Sequence, residues 1–264
     1  MYDEMLNRNR EASNKLYKKL YSWLHDQNSS TLLNQSIKAE ELFRKVGITF
    51  NVYGNDKAEE RLIPFDLIPR IIEKKEWEFV KKGIIQRLKA LNLFLKDIYF
   101  DQKILKDGII PSKLINNNSA FKPQMCGFKP PGGIYIHVSG VDLIRTSKKN
   151  FYVLEDNLRV PSGSSYMIEN RSTMMHMFPE LFTRYNVKNV YDYPDLLFKS
   201  LIKCYGSHSG TPNLAVLTPG IYNSAYFEHS FLADEMGVNL LEWRDLIIDN
   251  NKIVIKTTKG KEII

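Results

Sequence analysis

Phe151-Tyr-Val-Leu-Glu-Asp-Asn-Leu-Arg-Val-Pro-Ser-Gly163 begins as an aromatic and apolar run of strand type. It then delivers Glu155, Asp156 and Asn157 and closes on a Pro-Ser-Gly turn. Side chains alternate along a strand, so Glu155 and Asn157 share one face and Asp156 takes the other. Upstream, Gly140-Val-Asp-Leu-Ile-Arg145 is a second apolar run, and the polar stretch from Thr146 to Asn150 is short enough for a hairpin. A hairpin brings Asp142 beside the Glu155/Asn157 pair. Two carboxylates and an amide oxygen are hard donors. They suit Mg²⁺, which takes one or two carboxylates and fills its other positions with water and substrate phosphate. The plainer alternative is a surface hairpin whose acids face water, as charged groups at strand ends ordinarily do.

Past the turn, Ser162-Gly-Ser-Ser-Tyr-Met-Ile-Glu-Asn-Arg171 reads as a helix start, with Ser or Gly at the cap and Glu169 in the first turns. Helix N-termini favour anions, which makes Ser162, Gly163 and Ser164 a candidate seat for a phosphate or carboxylate. Arg159 lies between this turn and the Glu155/Asn157 pair; it is placed either to neutralise developing negative charge or to bridge to Asp156 or Glu155. Further on, Asn213-Leu-Ala-Val-Leu-Thr-Pro-Gly220 is an apolar strand with a turn. A helix carrying Phe227, Phe231, Leu232 and Met236 follows, Gly237 stops it, and Val238-Asn-Leu-Leu-Glu242 is a second strand. This is one β-α-β unit, in which ligands bind in the loop after the first strand. Thr218, Tyr222, Asn223, Tyr226 and Glu228 are the substrate-contact candidates there, and each alone also suits capping or packing.

Three stretches resemble the circularly permuted ATP-grasp proteins of bacteria, relatives of glutathionylspermidine-synthase-like ligases. They are Asp142-Leu-Ile-Arg145, Val153-Leu-Glu-Asp-Asn-Leu-Arg-Val-Pro-Ser-Gly-Ser-Ser-Tyr166 and Leu217-Thr-Pro-Gly-Ile-Tyr-Asn-Ser-Ala-Tyr-Phe-Glu-His229. The similarity runs from about Gly47 onward. It implies an α/β (α+β) fold with an antiparallel metal-binding lobe and a C-terminal Rossmann-like β-α-β unit. The implied organisation is a helical segment over 1–45, the metal-binding lobe over 46–185 and an incomplete Rossmann-like unit over 186–264. The implied activity is ATP-dependent carboxylate–amine ligation through an acyl phosphate, with ATP and Mg²⁺ as cofactors. Asp142, Glu155 and Asn157 would hold the metal, Arg159 would act on the transferring phosphoryl group, and Ser162, Gly163 and Ser164 would seat the phosphate. The partners implied are a small-molecule or peptide carboxylate and an amine acceptor. The sequence stops at Glu262-Ile-Ile264, before an Arg-Arg-x-Asp-Asp word found in relatives. A fragment, a decayed gene product, or a split enzyme whose second chain supplies the missing lobe is therefore expected, and a non-catalytic subunit is the alternative to the ligase.

The rest of the chain carries less chemistry. Leu16, Leu20, Trp23 and Leu24 share a helical face, and a polar break separates them from a second helix with Ile37 and Phe43. Gly47–Gly54 alternates as a strand. Ile84, Leu88, Leu91, Leu95 and Ile98 form a long helical seam, in which Gly83 is expected to divide two helices and Arg87 is a minor binding candidate. Ile134–Val138 is expected to be a strand. Among the 264 residues, 43% are hydrophobic and 25% charged, as in an ordinary globular chain. The net charge of +7 comes from scattered lysine pairs, without an arginine-rich tail or basic stripe, so nucleic-acid binding is the weakest function class. No apolar run approaches the ~20 residues needed to span a bilayer. With only two distant cysteines, Cys126 and Cys204, and no signal-peptide core, a cytoplasmic protein without membrane partners is expected.

Overall fold

The computed structural model describes residues 3–7, 9, 11–51, 60–148, 150–206, 210, 212–258 and 260–264. In chain order its helices are α1 (Lys15–His25), α2 (Ser29–Val46), α3 (Lys74–Tyr99), α4 (Lys103–Lys106), α5 (Ser112–Asn116), α6 (Ser164–Met177), α7 (Pro179–Arg184), α8 (Tyr193–Cys204) and α9 (Tyr226–Met236). Its strands are β1 (Thr49–Asn51), β2 (Glu60–Leu62), β3 (Gly140–Arg145), β4 (Phe151–Asn157), β5 (Ala215–Leu217), β6 (Asn239–Leu241), β7 (Leu246–Asp249), β8 (Lys252–Thr257) and β9 (Gly260–Ile263). The chain forms two compact units. One is built on Ile72–Pro161; the other is built on Asp3–Ile71, Ser162–Ile202 and Ser209–Ile264.

In the first unit, α3 is one unbroken helix. Its start is fixed by a capping box in which the Glu73 and Glu76 side chains each take the other's backbone N–H. Gly83 does not divide it. An interior glycine costs about 1 kcal/mol, too little to break a helix nucleated by that cap and carried by a long apolar seam. Asp97, in the last turn of α3, holds the start of α4: its carboxylate accepts from the N–H groups of Lys103 and Ile104 at 3.0 and 2.9 Å, and these bonds hold the carboxyl below its ordinary pKa. The expected strand at Ile134–Val138 does not form. Asn92 supplies the reason. Its Oδ1 accepts from the N–H groups of Tyr135 and Ile136 at 2.8 and 3.2 Å, so a helix side chain satisfies donors that a neighbouring strand would otherwise take. β3 and β4 pair antiparallel, as the sequence indicates.

In the second unit, Asn14 caps α1 by accepting from the Tyr17 N–H at 2.9 Å. Tyr17, Leu20 and Trp23, three residues apart, are buried against Met174, Met177, Phe178 and Leu181. The methionine-rich end of α6 is therefore core, as its composition suggests. Trp23 meets Phe178 edge-on with ring centroids 5.0 Å apart, and its Nε1 donates to Glu180 at 3.0 Å. The stretch after Phe178 forms α7, with proline at its first position. α2 ends at Gly47, whose φ of +76° closes the helix into β1. β1 pairs antiparallel with β2; Val52–Gly54 of the expected strand lie outside the described residues. β5 and β6 pair in parallel with α9 between them in sequence. β7 and β8 turn at Asn250 and Asn251, both at positive φ, and β9 adds a third strand.

Candidate functional site

The β3–β4 hairpin contains one irregularity that decides what it displays. Asp142 pairs with Glu155 but Leu143 pairs with Val153, so Leu154 is an extra residue, a β-bulge. Phe151 and Val153 point inward. Had the alternation run on undisturbed, Glu155 and Asn157 would also point inward. The bulge reverses the parity: Asp156 is tucked in, while Glu155 and Asn157 are exposed on the same face as Asp142. The three side chains meet there. The Asn157 amide nitrogen donates to Asp142 Oδ2 at 3.2 Å and to Glu155 Oε1 at 3.1 Å. The same outward face carries Ile144, Tyr152 and Leu154, which are 43%, 55% and 66% exposed.

The inward residues anchor the hairpin to α3. Arg87 Nε donates to both Asp156 oxygens at 2.8 and 2.9 Å, and its Nη2 donates to Oδ2 at 2.7 Å. These hydrogen bonds hold the Asp156 carboxyl below its ordinary pKa. Arg145 pairs with Glu76, and its guanidinium lies 4.9 Å from the Phe151 ring centre. Arg159 is exposed, and among the described residues it makes no ion pair; the bridge to Asp156 weighed from the sequence is made by Arg87.

The start of α6 does hold an anion, and the anion is Glu228 of α9. Its carboxylate accepts from the Gly163 N–H at 3.0 Å to each oxygen, and from the Ser164 and Ser165 N–H groups at 3.2 and 3.1 Å. The Ser164 hydroxyl adds a bond of 3.0 Å, and the Ser165 hydroxyl adds another. Gly163 reaches this geometry at φ +113°. Glu228 is 3% exposed, so the seat formed by Gly163 and Ser164 is filled from within, while the Ser162 side chain is exposed. Thr218, 1% exposed, is likewise internal: its Oγ1 lies 2.9 Å from His229 Nδ1 and accepts from the Gly220 N–H at 3.2 Å. Burial pushes the His229 pKa down, against a weaker upward pull from Glu228, so its ring is neutral near pH 7.

Tyr222, Asn223 and Tyr226 have a different setting. Tyr222 is 80% exposed. Asn223 and Tyr226 line a cleft of about 190 Å³ with Thr49, Ser224 and Phe227. Tyr166 stacks on Phe227 with centroids 5.5 Å apart and donates to the Thr49 carbonyl at 3.3 Å. The cleft lies just past β5, at the end where parallel strands present ligands. Its lining carries hydroxyls, an amide and two aromatic rings, and no charged side chain among the described residues.

Asp142, Glu155 and Asn157 fit a hard divalent cation by donor type. Two carboxylates converge within hydrogen-bond reach of one amide and remain open to solvent. Among the described residues no three His, Cys, Asp or Glu side chains cluster as a metal site. An asparagine as third donor, with water and phosphate beyond it, is thus what the hairpin offers. The bulge and the Arg87–Asp156 pair were not foreseen. Their only trace in the sequence is the inward parity of Phe151 and Val153, which conflicts with an outward Glu155.

Residues 69–264 match a family described as a circularly permuted ATPgrasp. An uncharacterized protein of Synechocystis sp. is 45% identical over 241 residues, covering 91% of this chain and 50% of the relative. An uncharacterized protein of Mycobacterium tuberculosis is 46% identical over 245 residues, covering 93% of this chain and 44% of the relative. A Frankia casuarinae protein provisionally named a glutamate–cysteine ligase is 39% identical over 213 residues, covering 80% of this chain and 24% of the relative. The solved structure of a glutathione synthetase-like effector from Globodera pallida superposes with a TM-score of 0.55 at 14% identity, covering 87% of this chain and 56% of that one. The chain thus spans about half the length of the Synechocystis and Mycobacterium relatives it matches. No helix among the described residues is long and apolar enough to cross a membrane.

Proposed function

The chain belongs to the circularly permuted ATP-grasp family, and on that premise we propose that it is part of an ATP-dependent carboxylate–amine ligase whose Mg²⁺–nucleotide site is the outer face of the β3–β4 hairpin. The observation that carries this reading is the convergence of Asp142, Glu155 and Asn157 on one solvent-facing patch. Bound Mg²⁺ would supply charge neutralisation of the nucleotide phosphates. Asp142 and Glu155 would hold it, with Asn157 turned to offer its amide oxygen. Arg159, exposed and without an ion pair among the described residues, is available to the transferring phosphoryl group. Ile144, Tyr152 and Leu154 give the same face an apolar strip, suited to the base and sugar of a nucleotide rather than to its phosphates.

In the proposed reaction a substrate carboxylate takes the terminal phosphoryl group of ATP and ADP leaves. An amine then attacks the acyl phosphate, forming an amide and releasing phosphate. Asn223 and Tyr226 are kept as candidates for binding the body of a small or peptide substrate, by the hydroxyl, amide and aromatic lining of their own cleft. Glu228 and Thr218 are both buried in internal bonds, and Glu228 takes the anion seat that Gly163 and Ser164 would offer a phosphate.

The test is binding of ATP to the purified chain, followed by fluorescence of a nucleotide analogue with and without Mg²⁺. Mg²⁺-dependent binding lost in Glu155→Gln is the expected result. Nucleotide binding indifferent to both Mg²⁺ and this substitution would remove the hairpin from the site.

A further inference from the structure

The hairpin and α3 are matched by charge along their length. Glu76 and Arg87 are eleven residues apart on α3. At 100° per residue that is three turns and ~20°, so both lie on one face, about 16 Å apart along the axis. On the hairpin, Asp156 pairs with Val141, and Arg145 is four residues further along β3, about 13 Å away. Acid on the helix meets base on the hairpin at one end; base meets acid at the other. A slipped hairpin would break both pairs, and a reversed one would set like charges together.

The consequence lies on the opposite face. In a strand a shift by one residue exchanges the faces, and the Leu154 bulge makes β4 the strand in which two parities compete. Asp156 is flanked by Glu155 and Asn157. Whatever keeps Asp156 inward keeps both neighbours outward. Arg87 grips Asp156 through a planar fork with three contacts of 2.7–2.9 Å, which fixes orientation as well as distance. We propose that Arg87 is a positioning residue for the metal-suited patch: through Asp156 it locks the bulged register of β4 and so presents Asp142, Glu155 and Asn157 together to a divalent cation.

This inference rests on the metal reading proposed above, and the experiment separates the two. Hydrogen exchange of the β3 and β4 amides and Mn²⁺ binding by electron paramagnetic resonance are measured on the wild-type chain, on Arg87→Met, on Arg87→Lys and on the exchange pair Arg87→Asp with Asp156→Arg. The expected result is exchange at least about tenfold faster in β3 and β4 of Arg87→Met, with the β7–β8 hairpin unchanged. Mn²⁺ affinity falls about tenfold, the scale at which groups behind the ligands act. Arg87→Lys, which keeps the charge but loses the fork, behaves like Arg87→Met, and the exchange pair recovers both properties. Unchanged β4 exchange with unchanged Mn²⁺ affinity in Arg87→Met overturns the proposal. So does a loss of protection spread equally over β7–β8, which would make Arg87 a general stabiliser. Faster β4 exchange in a protein whose wild type takes up no Mn²⁺ overturns the metal reading and upholds the register lock.

Discussion

Two places in this molecule bring carboxylates to polar partners, and they differ in what is left over. At the start of α6, Glu228 is buried and accepts from three backbone N–H groups and two hydroxyls. Its hydrogen-bonding capacity is filled, and its charge faces the positive end of a helix. On the outer face of the hairpin, Asp142 and Glu155 share one amide group between them and otherwise face water. A carboxylate of the first kind holds a fold together. Carboxylates of the second kind keep lone pairs for something else. The sequence offered Asp142 and Glu155 as metal ligands and Glu228 as a substrate contact, and the bonding inventory is what distinguishes them.

The most damaging way to probe that difference is to remove Glu228. Glu228→Ala strips the first turn of α6 of its acceptor and leaves buried N–H groups unpaired. About 3 kcal/mol of stability is expected to go, measured as a shift in urea midpoint at constant slope. Asp142→Asn on the hairpin is expected to stay within ~0.5 kcal/mol of wild type, as exposed substitutions do. Equal losses at the two sites would erase the distinction.

A milder probe uses Gly83, which lies between Glu76 and Arg87. A Cβ there meets nothing within 4 Å. Gly83→Ala is expected to stabilise the protein by about 0.5–1 kcal/mol through helix propensity. Thermal unfolding would show it, and a loss of stability would mean that α3 is kinked in solution between its two anchors.

The smallest expected effect concerns a third arrangement, Glu169 near Glu235. Burial first, and the neighbouring carboxylate second, raise the Glu169 pKa. The folded state then holds its proton more tightly than the unfolded one. The ionised group therefore costs stability above the raised folded pKa, and the cost vanishes below the ordinary glutamate value. Glu169→Gln is expected to stabilise at pH 7 and to lose that advantage as pH falls through this window. His229 runs the other way: its lowered pKa makes acidification below 6.5 destabilising. A pH-independent Glu169→Gln effect would contradict the first assignment.

Much of the hairpin was legible because it is local. Turn residues at Thr146–Asn150 and two apolar runs suffice to pair Asp142 with Glu155. The anion seat at Gly163–Ser164 was legible for the same reason, as three small residues opening a helix. The identity of the anion was not, because Glu228 lies more than sixty residues further along the chain. The outward turn of Glu155 depends on a bulge at leucine, a residue with no bulge signature, held by a partner 69 residues away on α3. Ile134–Val138 misled because its alternation suits a strand, while Asn92, 43 residues upstream of Tyr135, takes the N–H groups. Gly83 misled because a penalty of about 1 kcal/mol reads the same at a break as in a long helix. At the hairpin and at the start of α6, local pattern gave the element and a distant polar side chain set its geometry.

The most direct test of the central claim is Mn²⁺ titration of the chain, with relaxation of protein signals marking where the ion sits. The account predicts one site whose broadening centres on Asp142, Glu155 and Asn157, weakened at least about tenfold by Glu155→Gln and leaving the α6 N-terminus untouched. Broadening centred on Glu228 and the start of α6, or no bound ion at millimolar Mn²⁺, would contradict it.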